Sequence, residues 1–246
     1  TIIQEFSNIT KKAGANDRVL IFFAGHGVTG DLPDGGEMGY LMPVNGDEKD
    51  LYISAIDMDE LRKISLLSEA KHILYLVDAC YGGIASVGAR GLNAKSTPDY
   101  VQKITQDKGR QMISAGGRGE QVIEKSEWGH SAFTKNLLSG LRDSKADTDS
   151  DGIITVQELG TYLKKKVTVD TNNQQTPKTR NLSTDEGEFV FLTKISLQNE
   201  SELNRNISAN TNNHYNSYSH EVKTQRDQIN IEMMDKIDSI KRQNTL

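Results

Sequence analysis

Two residues in this 246-residue chain have side chains and settings that could do covalent chemistry: His26, in the run Phe23-Ala24-Gly25-His26-Gly27, and Cys80, in Asp78-Ala79-Cys80-Tyr81-Gly82-Gly83. A thiolate is a strong nucleophile even when only partly populated, and an imidazole exchanges its proton near neutral pH. Each residue stands at the end of an apolar run beside glycine, which lets the chain turn sharply and lets a peptide backbone come close. That setting suits a polypeptide substrate. Taken singly, either residue reads as readily as a core histidine or a buried apolar cysteine; it is the ordered pair, 54 residues apart, that points to chemistry.

A third constellation concerns a cation. From Asp147 to Glu158 the chain reads Asp-Thr-Asp-Ser-Asp-Gly-Ile-Ile-Thr-Val-Gln-Glu, with carboxylates at places 1, 3, 5 and 12, glycine at 6 and an apolar residue at 8. This is the spacing of an EF-hand loop, whose oxygens wrap one Ca²⁺. Asp147, Asp149, Asp151, the Ile153 carbonyl and Glu158 are the candidate ligands. Mg²⁺ fits less well, because it wants fewer ligands in tight octahedral order. The same segment also reads as a helix-turn-helix with good caps.

The elements that must position these groups can be read from periodicity. Ile2, Phe6, Ile9 and Ala13 recur at helical spacing, with Gly14 where a C-cap glycine belongs. Val19 to Phe23 and Ile73 to Val77 are unbroken apolar runs, as expected of strands covered on both faces of a parallel sheet. Met38 to Pro43 reads as a short hairpin or edge strand, and Asp57 to Ser68 as a crossover helix with acidic residues in its first turn. A strand is expected at Gln111 to Ala115, helices around Phe133 to Leu141 and Leu159 to Val167, and a last strand at Glu188 to Leu192. Residues 84–109 read as a long connection with little beyond a turn at Tyr100 to Ile104. Alternating strands and helices argue for an α/β layered sheet. In such sheets working groups gather outside the carboxyl ends of the strands, where His26 and Cys80 both fall. Side chains on a strand alternate, so Asp78 and Cys80 share a face.

Composition narrows the classes. A formal net charge of -5 and the absence of a basic stripe exclude a phosphate-backbone footprint, so nucleic acid is not expected as a partner. The longest apolar run, Val19 to Ala24, is far short of the ~20 residues that span a bilayer, and no signal-peptide pattern opens the chain, so no membrane partner is expected. A single cysteine makes no internal disulfide, which suits a reducing, cytoplasmic setting. The chain starts at Thr1 inside a helical pattern and reads as a fragment. Residues 1–194 hold the apolar content, 195–220 read as a polar linker, and 221–246 as an amphipathic helix through Val222, Ile229, Met233, Ile237 and Ile240, a candidate start of another module with a partner of its own.

The two blocks together resemble the caspase, metacaspase and orthocaspase superfamily of cysteine peptidases, in which a His-Gly strand end precedes an acidic or polar residue, Ala and Cys. Ile113-Ser114-Ala115-Gly116-Gly117-Arg118-Gly119-Glu120-Gln121-Val122, the His130 to Leu141 helix and the Glu186 to Phe191 strand are similar to the later half of bacterial members. The resemblance implies a caspase-like, mostly parallel sheet flanked by helices over residues 1–194, with the family's N-terminal strands missing. It implies Cys80 as nucleophile, His26 as its base and then as acid to the leaving amine, and backbone N–H groups of Gly27 and Cys80 as the oxyanion hole. No cofactor is needed for that chemistry. Animal caspases carry Gln-Ala-Cys and cut after Asp. This chain departs from them at Asp78 and resembles metacaspases and orthocaspases, which cut after Arg or Lys, so protein or peptide substrates with a basic residue are expected, held by Asp78 and by Glu120. Basic specificity would make Arg90, Lys95, Lys103, Lys108 and Arg110 candidate self-cleavage points. The alternatives are a catalytically inactive, calcium-responsive signalling or scaffold module, and another cysteine peptidase or acyltransferase with the same His-Gly and Ala-Cys arrangement. His72, His130, His214 and His220 lack partners at ligand spacing and read as structural or exposed, and Trp128 as packing near the groove or the core.

Overall fold

The protein is described by a computed structural model over residues 1–80, 98–193 and 236–237. Thr1 caps α1 (Ile2–Lys12): its hydroxyl accepts from the Gln4 N–H while Gln4 Oε1 accepts a hydrogen bond from the Thr1 amino group at 2.8 Å. The helix ends on Ala13 in extended backbone rather than on a left-handed glycine. Gly14 instead gives its N–H to Asp17 Oδ2 at 2.8 Å, which turns the chain into β1 (Arg18–Ala24). An antiparallel hairpin follows, β2 (His26–Asp31) and β3 (Glu37–Met42), then the short α2 (Leu51–Ser54), β4 (Ile56–Asp57) and α3 (Met58–Leu66), capped by the Asp57 carboxylate on the Glu60 N–H. The strand β5 (His72–Cys80), α4 (Pro98–Gln106) and β6 (Gly109–Gly116) come next. The remainder is β7 (Glu124–Lys125), a 3₁₀ turn at Ser126–Trp128, β8 (His130–Ser131), α5 (Ala132–Arg142), β9 (Ile153–Thr155), α6 (Val156–Asp170), β10 (Lys178–Asn181) and β11 (Val190–Leu192).

The central sheet runs β1-β5-β6-β10, with β1, β5 and β6 parallel and β10 antiparallel at the edge. β5 and β6 are buried along their whole length, and alternation sorts their side chains into two cores. Leu74, Leu76, Cys80, Ile113 and Ala115 cluster with Phe133 and Leu137 of α5 and Leu159 and Leu163 of α6. Ile73, Tyr75, Val77, Ala79 and Met112 cluster with Met58 and Leu61 of α3 and with Ile2 and Phe6 of α1. Each fully buried aliphatic or aromatic side chain contributes roughly 1.5–3 kcal/mol over leaving it in water. The mostly parallel sheet flanked by helices agrees with the expected fold class.

The edge differs from the expectation. Lys178–Asn181 has no apolar run to mark it, yet it lines the sheet because β6 offers a free antiparallel edge there. The last strand, Val190–Leu192, pairs with β9 instead of the central sheet. The segment around Tyr100 is a full helix, α4, where only a turn was expected.

Two buried polar groups hold the bottom of the sheet. His72 is held between the Arg18 Nε–H, donating to Nδ1 at 3.2 Å, and the Asp107 carbonyl, which accepts from Nε2 at 3.0 Å. Burial, and then the Arg18 charge, push its pKa down to about 4. It is a structural histidine, as read from the sequence. Arg110 spends its guanidinium on the carbonyls of Ser65, Ser68, Ala70, Lys71 and Gly109, stapling the turn after α3 to β6. So anchored inside a buried strand, Arg110 is no self-cleavage point. Lys103 and Lys108 are exposed, and Arg90 and Lys95 lie outside the described residues. His214, His220, the linker at 195–220 and most of the tail helix also lie outside them. Within that tail Lys236 and Ile237 are helical, and Ile237 is buried with the core cluster of Leu74 and Phe133.

Candidate active site

The register of β1 on β5 runs from Arg18 on His72 up to Ala24 on Asp78, two residues before His26 and Cys80 respectively. The chain does not continue straight. Gly25 gives its N–H to the Asp78 carbonyl at 3.3 Å, bends, and His26 becomes the first residue of β2, opposite Met42. A Cβ on Gly25 would sit 3.1 Å from the Phe23 ring, so the bend is tightly packed there. His26 is therefore carried by a hairpin that packs against β5, rather than by the end of a sheet strand as the sequence suggested. His26 is exposed, with Gly27 beside it opposite Leu41, whereas Cys80 is only 8% exposed.

The wall behind Cys80 is built from β6. Gly116 pairs with Cys80, and between Val77 and Cys80 the register slips by a bulge. A Cβ at Gly116 would collide with Cys80 Sγ and lie 2.8 Å from Glu120 Oε2, so the thiol and the carboxylate converge on the space that glycine leaves empty. Burial, then the Glu120 charge and then that of Asp78 push the Cys80 thiol up to about 12. In the resting arrangement the sulfur keeps its proton.

Asp78 shares the face of Cys80, as alternation requires, and is 0% exposed. Its Oδ2 accepts from the hydroxyls of Ser131 and Thr134, each at 2.5 Å. Ser131 is also the N-cap of α5, its Oγ accepting from the Thr134 N–H at 3.0 Å. The carboxylate thus ties β5 to the positive end of α5. Short hydroxyl bonds to an ionised oxygen are among the stronger hydrogen bonds in proteins.

Glu120 is half-buried in the loop after β6, where Oε2 accepts from the Gly117 N–H at 2.8 Å and the Thr176 N–H at 2.9 Å. Among the described residues it makes no ion pair. Two residues earlier Arg118 forms an ion pair with Glu37 on β3, so the Glu120 loop is clasped to the hairpin that carries His26. Gln175 completes the frame: its Nε2 donates to the Ala115 carbonyl at 3.0 Å and its Oε1 accepts from the Ile123 N–H at 2.9 Å. The structure brings His26, Gly27, Asp78, Cys80 and Glu120 to one region. Ser131, Thr134, Arg118, Glu37 and Gln175 had no distinguishing sequence signal, because each acts through a partner more than 50 residues away. Trp128 is half-buried between Lys125 and Lys135, whose Nζ atoms lie 4.4 and 4.7 Å from its ring, a surface stack rather than a core position.

The loop from Asp147 lies elsewhere. Carboxylate oxygens of Asp147, Asp149 and Asp151 all come within 4.8 Å of one another, around a turn with Ser150 and Gly152 at positive φ. Gly152 gives its N–H to Asp147 Oδ2 and Ile153 its N–H to Asp151 Oδ1. Asp147 Oδ1 is buried without a hydrogen bond, and burial raises that carboxyl above its ordinary range. Glu158 is engaged on both oxygens: Oε1 accepts from Thr148, and Oε2 accepts from Thr155 in a capping box that starts α6. Both sequence readings of this segment, ion loop and capped helix-turn-helix, thus have groups in place.

The mostly parallel α/β sheet carries the thiol at the carboxyl end of β5, and the hairpin that follows β1 carries the imidazole. The caspase-domain family model matches residues 1–186, and the chain belongs to that family of peptidases. Its substrates are accordingly proteins or peptides. No curated protein sequence matches the chain. Among solved structures it is similar to protein GSU0716 from Geobacter sulfurreducens, at 16% identity and a TM-score of 0.41, covering 73% of this chain and 71% of that one. Among the described residues no helix is long and apolar enough to cross a membrane.

Proposed function

We propose that the chain is a cysteine endopeptidase of the orthocaspase and metacaspase kind, hydrolysing peptide bonds after Arg or Lys through Cys80 and His26. The observation that carries this reading is the Glu120 carboxylate, in no ion pair among the described residues, converging with the Cys80 thiol on the space beside Gly116, with buried Asp78 behind on the same face. A guanidinium or ammonium seated on Glu120 puts the neighbouring carbonyl within reach of the sulfur. Asp78 adds negative potential from behind the wall, since its Oδ2 is held by Ser131 and Thr134.

In that reading Cys80 passes its proton to His26 and attacks the carbonyl carbon. The oxyanion is met by the backbone N–H groups of Gly27 and Cys80, a contribution of about 3 kcal/mol per donor in other acyl-transfer enzymes. The C–N bond breaks as His26 protonates the leaving amine, and water then hydrolyses the thioester, with His26 taking its proton. Fluorogenic peptides ending in Arg, Lys or Asp test this directly. Cleavage after Arg and Lys, abolished by Cys80→Ala and weakened by Glu120→Gln, is expected; Asp-directed or Cys80-independent cleavage would sink the reading.

A bound Ca²⁺ at Asp147, Asp149, Asp151, the Ile153 carbonyl and Glu158 is part of the same proposal. Supporting it are the cluster of three carboxylates and the buried, unbonded Asp147 Oδ1. Binding requires Glu158 to exchange Thr148 for the ion. The strand of this loop is already paired with β11 inside the chain, the place a second EF-hand would otherwise fill. Calorimetric titration with Ca²⁺ should show one site that Asp149→Asn weakens; no heat at millimolar Ca²⁺ rules the site out.

A further inference from the structure

The groups around Cys80 raise a chemical difficulty that the substrate itself can remove. The Cys80 thiol and the Glu120 carboxylate converge on the space beside Gly116, where a Cβ would collide with Sγ and lie 2.8 Å from Glu120 Oε2, and the buried Asp78 carboxylate lies on the same face of β5. On the cationic side, Lys178 of β10 has its Cε 3.1 Å from the position a Cβ would take on Gly117. Lys178 makes no ion pair with Glu120. Ionising a buried sulfur beside two negative groups is opposed by both burial and charge, so a free enzyme of this geometry holds its nucleophile in the unreactive, protonated form.

Resting on the basic specificity proposed above, we infer that the substrate's basic side chain is itself the activator: seated on Glu120, its positive charge offsets the carboxylate and lets Cys80 pass its proton to His26. The step conserves charge and atoms. Before it, thiol and imidazole are neutral and Glu120 is paired with the substrate cation. After it, the thiolate and imidazolium form an ion pair and the Glu120 pair is unchanged. Selection and activation then depend on one contact. A peptide lacking the cation fails in the chemical step as well as in binding, and the free enzyme resists adventitious alkylation. The single cysteine makes the state of Cys80 directly readable.

The test is the rate of iodoacetamide alkylation of the full 246-residue chain between pH 6 and 9, measured with ethylguanidinium, with its uncharged counterpart ethylurea, and with neither. Ethylguanidinium should raise the rate at pH 7 by about tenfold, the effect of a charge brought within a few ångströms of a titrating group. Ethylurea should leave it unchanged. Glu120→Gln, which keeps an oxygen for the Gly117 and Thr176 N–H groups, should react faster without any ligand and lose the response to ethylguanidinium. If ethylguanidinium competes with Arg-peptide cleavage yet leaves the alkylation profile unchanged, the activation is wrong while the specificity stands. If Arg and Lys peptides are not cleaved and ethylguanidinium has no effect on alkylation, both fail together. The ligand arm uses the unaltered protein, so the outcome does not depend on the variant folding.

Discussion

The two halves of the candidate site are held in opposite ways. Cys80 ends a strand buried on both faces, backed by α5 and fixed through Asp78, Ser131 and Thr134. His26, itself exposed, opens a hairpin whose second strand is buried at Tyr40 and Leu41 and whose loop side is tied across to the Glu120 loop by the surface pair of Arg118 and Glu37. A nucleophile set in a core keeps its position at the cost of solvation, and so keeps its proton. An exposed residue at the start of a hairpin keeps its solvation and takes its position from the strands that carry it. The difference separates substitutions that unfold the protein from those that only misplace chemistry.

Phe133→Ala should break the first half most severely. It empties a fully buried site in the core cluster of Leu74 and Cys80, and a loss of about 3–5 kcal/mol in unfolding free energy by urea titration is expected. Acid should follow. His72 is buried neutral, with its pKa lowered from 6.5 to about 4. Between those values the unfolded chain binds a proton that the fold refuses, so stability is complete above pH 6.5 and falls as pH drops towards 4. Urea midpoints at pH 7 and 4.5 should show this loss, and His72→Gln should flatten that part of the profile. The smallest effect on stability belongs to the second half. Arg118→Glu sets like charges against Glu37 and should cost under about 1 kcal/mol, because exposed pairs contribute little. It should nevertheless lower kcat/KM for an Arg peptide, and the double exchange with Glu37→Arg should recover it. Unchanged activity in the single variant would show that the hairpin holds His26 without the clasp.

How much of this was legible beforehand depended on whether a signal was local. The apolar runs at Val19 to Phe23 and Ile73 to Val77 could be read as buried parallel strands because burial on both faces removes the polar half of the alternation. The α3 start was readable because Asp57 caps within three residues of itself. The C-cap at Gly14 was not, since Asp17 turns the chain by a side-chain contact that needs no left-handed residue. β10 was invisible because Lys178, Thr179, Arg180 and Asn181 join the sheet through backbone bonds to β6, which carry no side-chain preference.

By itself the sequence determined the two buried parallel strands, the amphipathic helices α1, α3, α5 and α6, and the shared face of Asp78 and Cys80, since periodicity and spacing are properties of the chain alone. Only the tertiary structure decided that His26 rides on a hairpin, that Asp78 is closed off under Ser131 and Thr134, that Arg110 is a buried staple, and that Glu120 and the thiol meet at Gly116. Those facts join residues far apart in the chain, and distances of that kind are set by packing, which no local pattern records.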